Sequence, residues 1–142
     1  MSSADLDKLI KITKINRIAA SGGDVLHYLK SSENSFIEFG EAYFSLVDKN
    51  VVKGWKYHKK MTMNICVPVG TVQFVFTDIK QENFRSIIIG ESDHSRLTVQ
   101  PFTVFAFKGL SDGINLVANI SNIEHDPDES VKISEDKIQY EW

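Results

Sequence analysis

The stretch that most limits what this chain can become is Asn64–Phe76, N-I-C-V-P-V-G-T-V-Q-F-V-F. It is apolar and β-branched, as β-runs are. Gly70 stands in its middle, and a glycine inside a strand pattern marks a bend, a bulge or a close backbone approach. Just upstream, Val51–Lys60 (V-V-K-G-W-K-Y-H-K-K) reads as a second β-run that ends in a basic turn. Side chains two apart on a strand share a face. Lys56 and His58 therefore point one way, and Trp55 and Tyr57 the other. Two titratable groups side by side, next to a large apolar run, are a candidate site. A solvated edge strand carrying ordinary charges is the other reading of the same residues.

The rest of the chain follows the same style. Leu6–Ile18 reads as a helix or an alternating strand, with Ile10 and Ile12 favouring the strand. Ser21–Asp24 is a turn. Val25–Lys30 is a short strand or helical turn, and Phe36–Val47 is a strand-rich run. Asp48–Asn50 is a turn. Further β-runs are expected at Phe84–Ile89, Arg96–Val99, Pro101–Phe107 and Ile114–Ile120, separated by Gly-, Asp- and Ser-bearing turns. The segment from His125 to Glu129 is polar, and Ile138–Trp142 alternates as if to pack back on the body. Short strands at turn-punctuated spacing point to an all-β sandwich or barrel. No repeat or linker divides the 142 residues, which are read as one domain, 1–142.

Composition narrows the partners. The net charge of −3 gives no nucleic-acid footprint. The Lys53–Lys60 cluster is local and suits a small anionic ligand, or is a charged turn with no partner. Cys66 is the only cysteine, so no intrachain disulfide forms, and its apolar run reads as the home of a buried structural thiol. Met1–Asp7 lacks the apolar core of a leader, and no stretch approaches membrane-spanning length. The cytosol is the expected compartment. Tyr43 and Ser45 share one face of their strand, facing the barrel interior or serving core packing. His27 and His94 lie in polar contexts and are expected to be exposed, as is Arg96.

Six short stretches occur in a telling order: Gly40-Glu41-Ala42-Tyr43-Phe44-Ser45, Lys53-Gly54-Trp55, Pro68-Val69-Gly70, Gln100-Pro101, Gly109-Leu110-Ser111-Asp112, and His125-Asp126-Pro127-Asp128-Glu129. In order and spacing they resemble the dTDP-4-dehydrorhamnose 3,5-epimerase-like proteins, from about Gly22 onward. The resemblance implies a cupin fold, that is a double-stranded β-helix or jelly-roll barrel. It also implies a homodimer and a nucleotide-linked 4-keto sugar as substrate, in bacterial surface-polysaccharide synthesis. The N-terminal edge, Lys11–Ile18, is the expected pairing edge of the dimer.

The general cupin metal site would fall on Lys56, His58, Met63 and Phe105. Of these only His58 is a metal ligand, so no metal or other cofactor is expected. The epimerase pattern places its phosphate-holding Arg at Lys53 and its catalytic base at Lys56. Its enolate-steadying Lys falls on Met63, and its proton-donating Tyr near Val117–Ala118. The related 3,4-ketoisomerases carry His-x-His-Lys where this chain reads Lys56-Tyr57-His58-Lys59, so the second His and the Lys are kept. The resemblance thus implies His58 as acid or base, Lys56 as the partner that polarises the ketone or enolate, and Lys53 as phosphate anchor. Tyr43 and Ser45 match substrate-contacting positions, Arg96 is a candidate for a diphosphate, and His125 belongs to the tail with a structural role. The competing expectation is a catalytically silent cupin that binds a sugar nucleotide or a partner enzyme.

Overall fold

The computed structural model of the protein describes residues 3–142; Met1 and Ser2, the start of the polar segment Met1–Asp7, lie outside the described residues. A short helix, α1 (Ser3–Leu9), leads into the strands β1 (Ile10–Lys14), β2 (Arg17–Ile18) and β3 (Val25–Leu26). After a long irregular stretch come β4 (Glu41–Leu46), β5 (Val52–His58), β6 (Met63–Val69) and β7 (Thr71–Thr77). Then follow β8 (Phe84–Gly90), β9 (Ser95–Val99), β10 (Val104–Gly109), β11 (Leu116–Ser121) and β12 (Ser130–Lys132). A 3₁₀ turn at Glu135–Lys137 follows β12. The run expected at Phe36–Val47 is a strand only over its second half. Leu6–Ile18 divides between the helix and the strand that the sequence left open.

Two five-stranded antiparallel sheets face each other, in the orders β1-β9-β6-β11-β4 and β12-β5-β10-β7-β8, with β2 and β3 as a separate ribbon. This is the jelly-roll barrel. Gly70 makes it from what looked like one run: β6 lies in the first sheet and β7 in the second, and Gly70 is the corner between them. Its φ is +81°, and a Cβ there would lie 2.3 Å from the Ile114 carbonyl oxygen. Buried Asn115 fastens that corner, accepting from the Thr71 and Ser111 N–H groups and donating to the Val47 and Ser111 carbonyls. The barrel core takes its residues from the inner faces of both sheets: Met63, Ile65, Val67, Leu97 and Val99 against Phe74, Phe76 and Phe105. Phe74 and Phe76 are fully buried, and truncating either to Ala would cost about 3–5 kcal/mol.

The outer faces are covered by different parts of the chain. On the second sheet, Trp55, Val75, Val104 and Ala106 pack beneath Ile138, Tyr140 and Trp142, so the alternating tail does fold back. On the first sheet, residues 27–36 run across the outside. The Tyr28 hydroxyl donates to the Asn64 and Ala118 carbonyls, and the Asn64 side chain donates to the Ser35 carbonyl. Cys66 lies beneath this strap, buried, and burial pushes its thiol up to about 11. It is an inert packing residue.

Candidate active site

The barrel encloses a cavity of about 630 Å³ that opens at one end, within the ~300–1,000 Å³ of small-ligand sites. Its apolar wall is Met63, Ile65, Phe74, Phe105, Phe107 and Val117; Tyr43, Ser45, Lys53, Lys56, Asn119, Lys132 and Glu135 supply the polar groups. Four of the six expected site residues, Tyr43, Ser45, Lys53 and Lys56, therefore meet in one space.

A bulge in β5 brings the two lysines together. Against β10, Lys56 pairs with Phe105 but Gly54 pairs with Ala106, so Trp55 is the extra residue. Strict alternation would send Lys53 outward with Trp55. The bulge resets the phase, and Lys53, opposite Phe107, turns to the cavity as Lys56 does. Gly54 is what permits it: its φ is +144°, and a Cβ would lie 2.4 Å from that of Ala106. Past the bulge the expected faces hold. Trp55 and Tyr57 join the outer cluster, while Lys56 and His58 face inward against Phe105.

His58, expected as the acid or base, does not itself line the cavity: it is buried, at 5% exposure, and stacked on the lining residue Phe105 with ring centroids 6.2 Å apart. Its Nδ1 bonds to Glu129, itself 3% exposed. The other Glu129 oxygen accepts the backbone N–H groups of Lys60 and Met61. A carboxylate against Nδ1 fixes the proton on that nitrogen and leaves the lone pair on Nε2. Nε2 is buried and has no protein hydrogen-bond partner. Burial lowers the His58 pKa, against the opposing pull of Glu129. Burial alone would raise that of Glu129, but His58 and the two N–H groups outweigh it and hold the carboxyl below its ordinary value. The pair is a neutral imidazole with an anion behind it.

Tyr43 and Asn119 face each other across β4 and β11, and the Asn119 amide donates to the Tyr43 hydroxyl at 2.9 Å. Burial raises the Tyr43 pKa, so the phenol keeps its proton through neutrality. The Asn119 Oδ1 is buried without a partner. Lys132 lies directly across from Lys56 on β12. Burial lowers the Lys56 pKa, and the Lys132 charge adds to that effect.

Sequence reasoning missed Glu129, Asn119, Lys132 and Glu135. Glu129 was visible only as part of a polar tail, and Lys132 had no companion in sequence to mark it. Arg96 requires correction. It is neither exposed nor near the cavity. It sits on the outer face of β9, between inward-facing Ser95 and Leu97, at 1% exposure under the strap. Its guanidinium is 2.6 Å from Glu33 and donates to the Tyr28 carbonyl at 2.7 Å. His94 is also not exposed: it is half-buried and its Nε2 donates to the His27 carbonyl, whereas His27 is exposed as expected. His125 binds Glu41 through its backbone N–H rather than its ring.

The fold and the polar groups inside it define a cupin whose cavity carries acid–base side chains. The chain is 33% identical to a dTDP sugar isomerase from Desulfovibrio desulfuricans G20, over 89% of this chain and 85% of that one, with a TM-score of 0.84. It belongs to the family of dTDP-4-dehydrorhamnose 3,5-epimerase-like and sugar-ketoisomerase-like cupins. Two more distant structures share the fold. A dTDP-4-dehydrorhamnose 3,5-epimerase from Sulfolobus tokodaii has 21% identity, with coverage of 92% and 80% and a TM-score of 0.78. A sugar 3,4-ketoisomerase from Thermoanaerobacterium thermosaccharolyticum, solved with TDP, has 16% identity, 87% coverage of both chains and a TM-score of 0.75. No protein-family model matches the sequence, and no curated protein matches it. Among the described residues, no helix is long and apolar enough to cross a membrane.

Proposed function

We propose that the protein is an epimerase or isomerase of a dTDP-linked 4-keto sugar, working in bacterial surface-polysaccharide synthesis in the cytosol, with the chain 1–142 as one cupin unit. The observation that carries the reading is the buried His58–Glu129 pair, with its free Nε2 on the same strand face as Lys56. Moving a proton next to a ketone needs a base that is unprotonated at working pH, and an imidazole backed by a carboxylate is one. His58 removes and returns the proton. Lys56 stands where charge develops on the ketone oxygen. The Tyr43 hydroxyl, held by Asn119, is a proton donor on the strand across the barrel, and Ser45 beside it contacts the sugar. At the rim, Lys53 and Lys132 face the diphosphate as point charges.

The same reading includes a homodimer. β1 and β4 are the open edges of the first sheet. β4 turns Phe44 and Leu46 outward, at 72% and 57% exposure, and such an edge calls for cover. Light scattering that gives a monomer at micromolar concentration would remove the dimer from the proposal.

The activity is tested by proton–deuterium exchange, followed by NMR, into a panel of dTDP-4-keto sugars. Exchange at a carbon next to the ketone is the expected result. The competing reading, a silent binding module, is favoured by Met63 and Val117, apolar residues where the resemblance would place a Lys and, nearby, a Tyr. Tight binding of a dTDP-sugar with no exchange for any member of the panel would establish that reading instead.

A further inference from the structure

Lys56 is set differently from Lys14, Lys49 and Lys53. Lys49 and Lys14 have carboxylate partners, and Lys53 donates to the Leu46 carbonyl. The Lys56 amine has no hydrogen bond and no ion pair among the described residues. It reaches into the cavity over the Phe105 ring, 5.9 Å from the centroid. The residue directly across the strands is another lysine, Lys132, and like charges opposite one another on a sheet repel. Of the nearby carboxylates, Glu129 is committed to His58 and two backbone N–H groups, and Glu135 lines the mouth with its side chain exposed. A cation in this position has no directly paired counter-ion, and burial together with Lys132 outweighs the pull of the Glu129 carboxylate. The lowered Lys56 pKa agrees with that placement, and desolvation is a recognised way to make a lysine nucleophilic.

We infer that Lys56 condenses with the ketone of the bound sugar, and that epimerisation at the neighbouring carbon runs through a lysine imine rather than a free enolate. The inference rests on the sugar-nucleotide reading above. The nitrogen lone pair attacks the carbonyl carbon and gives a carbinolamine. Its hydroxyl takes up a proton and leaves as water, and the C=N bond forms as an iminium. The positive nitrogen draws electrons from the adjacent C–H, so the base removes that proton and a neutral enamine results. Reprotonation on carbon restores the iminium, and one water hydrolyses it to the product ketone and the free amine. No oxidant, reductant or metal enters the balance. His58 keeps its role as base, and Lys56 becomes a covalent residue instead of a point charge.

Sodium cyanoborohydride near neutral pH reduces an iminium far faster than a ketone, so it tests this directly. The probe is dTDP-4-keto-6-deoxyglucose, the kind of ligand held by a ketoisomerase variant of the same fold. The wild-type protein is expected to gain the mass of the sugar nucleotide less one oxygen, with the adduct on the Lys56 peptide and suppressed by excess dTDP. Lys56→Arg should lose that adduct, whereas Lys59→Gln, in the exposed turn, should keep it. The wild-type peptide map stands on its own if Lys56→Arg does not fold. Deuterium exchange with no adduct at Lys56, or an adduct spread evenly over surface lysines, would overturn the imine and leave the isomerase reading intact. An adduct on Lys56 without exchange would show condensation alone and overturn the imine as the route of the reaction, together with that reading. Neither adduct nor exchange would overturn both.

Discussion

Two pairs of a buried cation-forming side chain with a carboxylate lie in this barrel, on opposite sides of its wall; Glu129 is buried with its partner, whereas Glu33 is 30% exposed. Arg96 and Glu33 hold the strap outside the first sheet; His58 and Glu129 lie beside the cavity. Each leaves one ring or guanidinium nitrogen without a protein partner, Nε in Arg96 and Nε2 in His58. The chemical difference is decisive. A guanidinium does not give up its proton in a protein, so its open nitrogen can only donate. The imidazole gives up its proton near neutrality, and its partner has fixed which nitrogen bears the lone pair. Burial and pairing alone do not mark a functional site. What marks it is a buried group with two usable protonation states beside a cavity.

The largest effect expected from that contrast is on rate. His58→Ala should lower deuterium exchange by about 10²–10⁴-fold, the usual contribution of a general acid–base group. A circular-dichroism melt would show that the variant still folds. An unchanged exchange rate would place His58 with Arg96 as a structural residue.

Arg96→Met should do the reverse. It removes charged hydrogen bonds to Glu33 and the Tyr28 carbonyl, at a cost of about 2–4 kcal/mol in stability. Below its melting range, the variant should exchange deuterium at the wild-type rate. Loss of substrate affinity with stability intact would return Arg96 to the diphosphate role that the sequence suggested.

The acid side of the pH profile separates the pairs in a second way. His58 is held below its ordinary 6.5, so in acid the unfolded chain takes a proton there before the folded one does. Its contribution to stability is present above about pH 6.5 and is lost as pH falls through the folded value. Glu129 adds a second loss below its ordinary 4.5. Exchange should therefore fall on acidification with an inflection below 6.5, ahead of unfolding. In Glu129→Gln that inflection should lie lower still, because the anion that raises the His58 pKa is gone. Rate against pH, beside melts at the same pH values, measures both.

The smallest effect belongs to the rim. Lys53 is exposed, and exposed ion pairs contribute about 0.2–1 kcal/mol. Lys53→Ala should therefore raise KM about two- to fivefold with kcat unchanged, and Lys53→Arg should be tolerated. A fall in kcat would mean that Lys53 acts on the transition state.

What could be read in the sequence was what repeats at short range. Period two placed Lys56 and His58 on one face, and Tyr43 and Ser45 on another, and the turns bounded most strands. The order of short stretches carried the barrel. The bulge at Trp55 was hidden, because it depends on Gly54 meeting Ala106, some fifty positions away. Glu129 was hidden for a similar reason: its partner is 71 residues distant, and a carboxylate in a polar tail looks solvated until the tail is folded. Arg96 was misplaced because arginine is seldom fully buried. Nothing near it in sequence shows that residues 27–36 cross over it.

The outer cluster on the second sheet has a use in the laboratory. The chain has two tryptophans, Trp55 and Trp142, and their rings lie 5.9 Å apart. Tyr140 and Phe84 complete the group. Trp55 is the bulged residue itself, bonded to Lys56 on one side and Gly54 on the other. The intrinsic emission of the protein therefore comes from a single spot in the cavity wall. A ligand that shifts the bulge on binding should be visible by fluorescence without any added label.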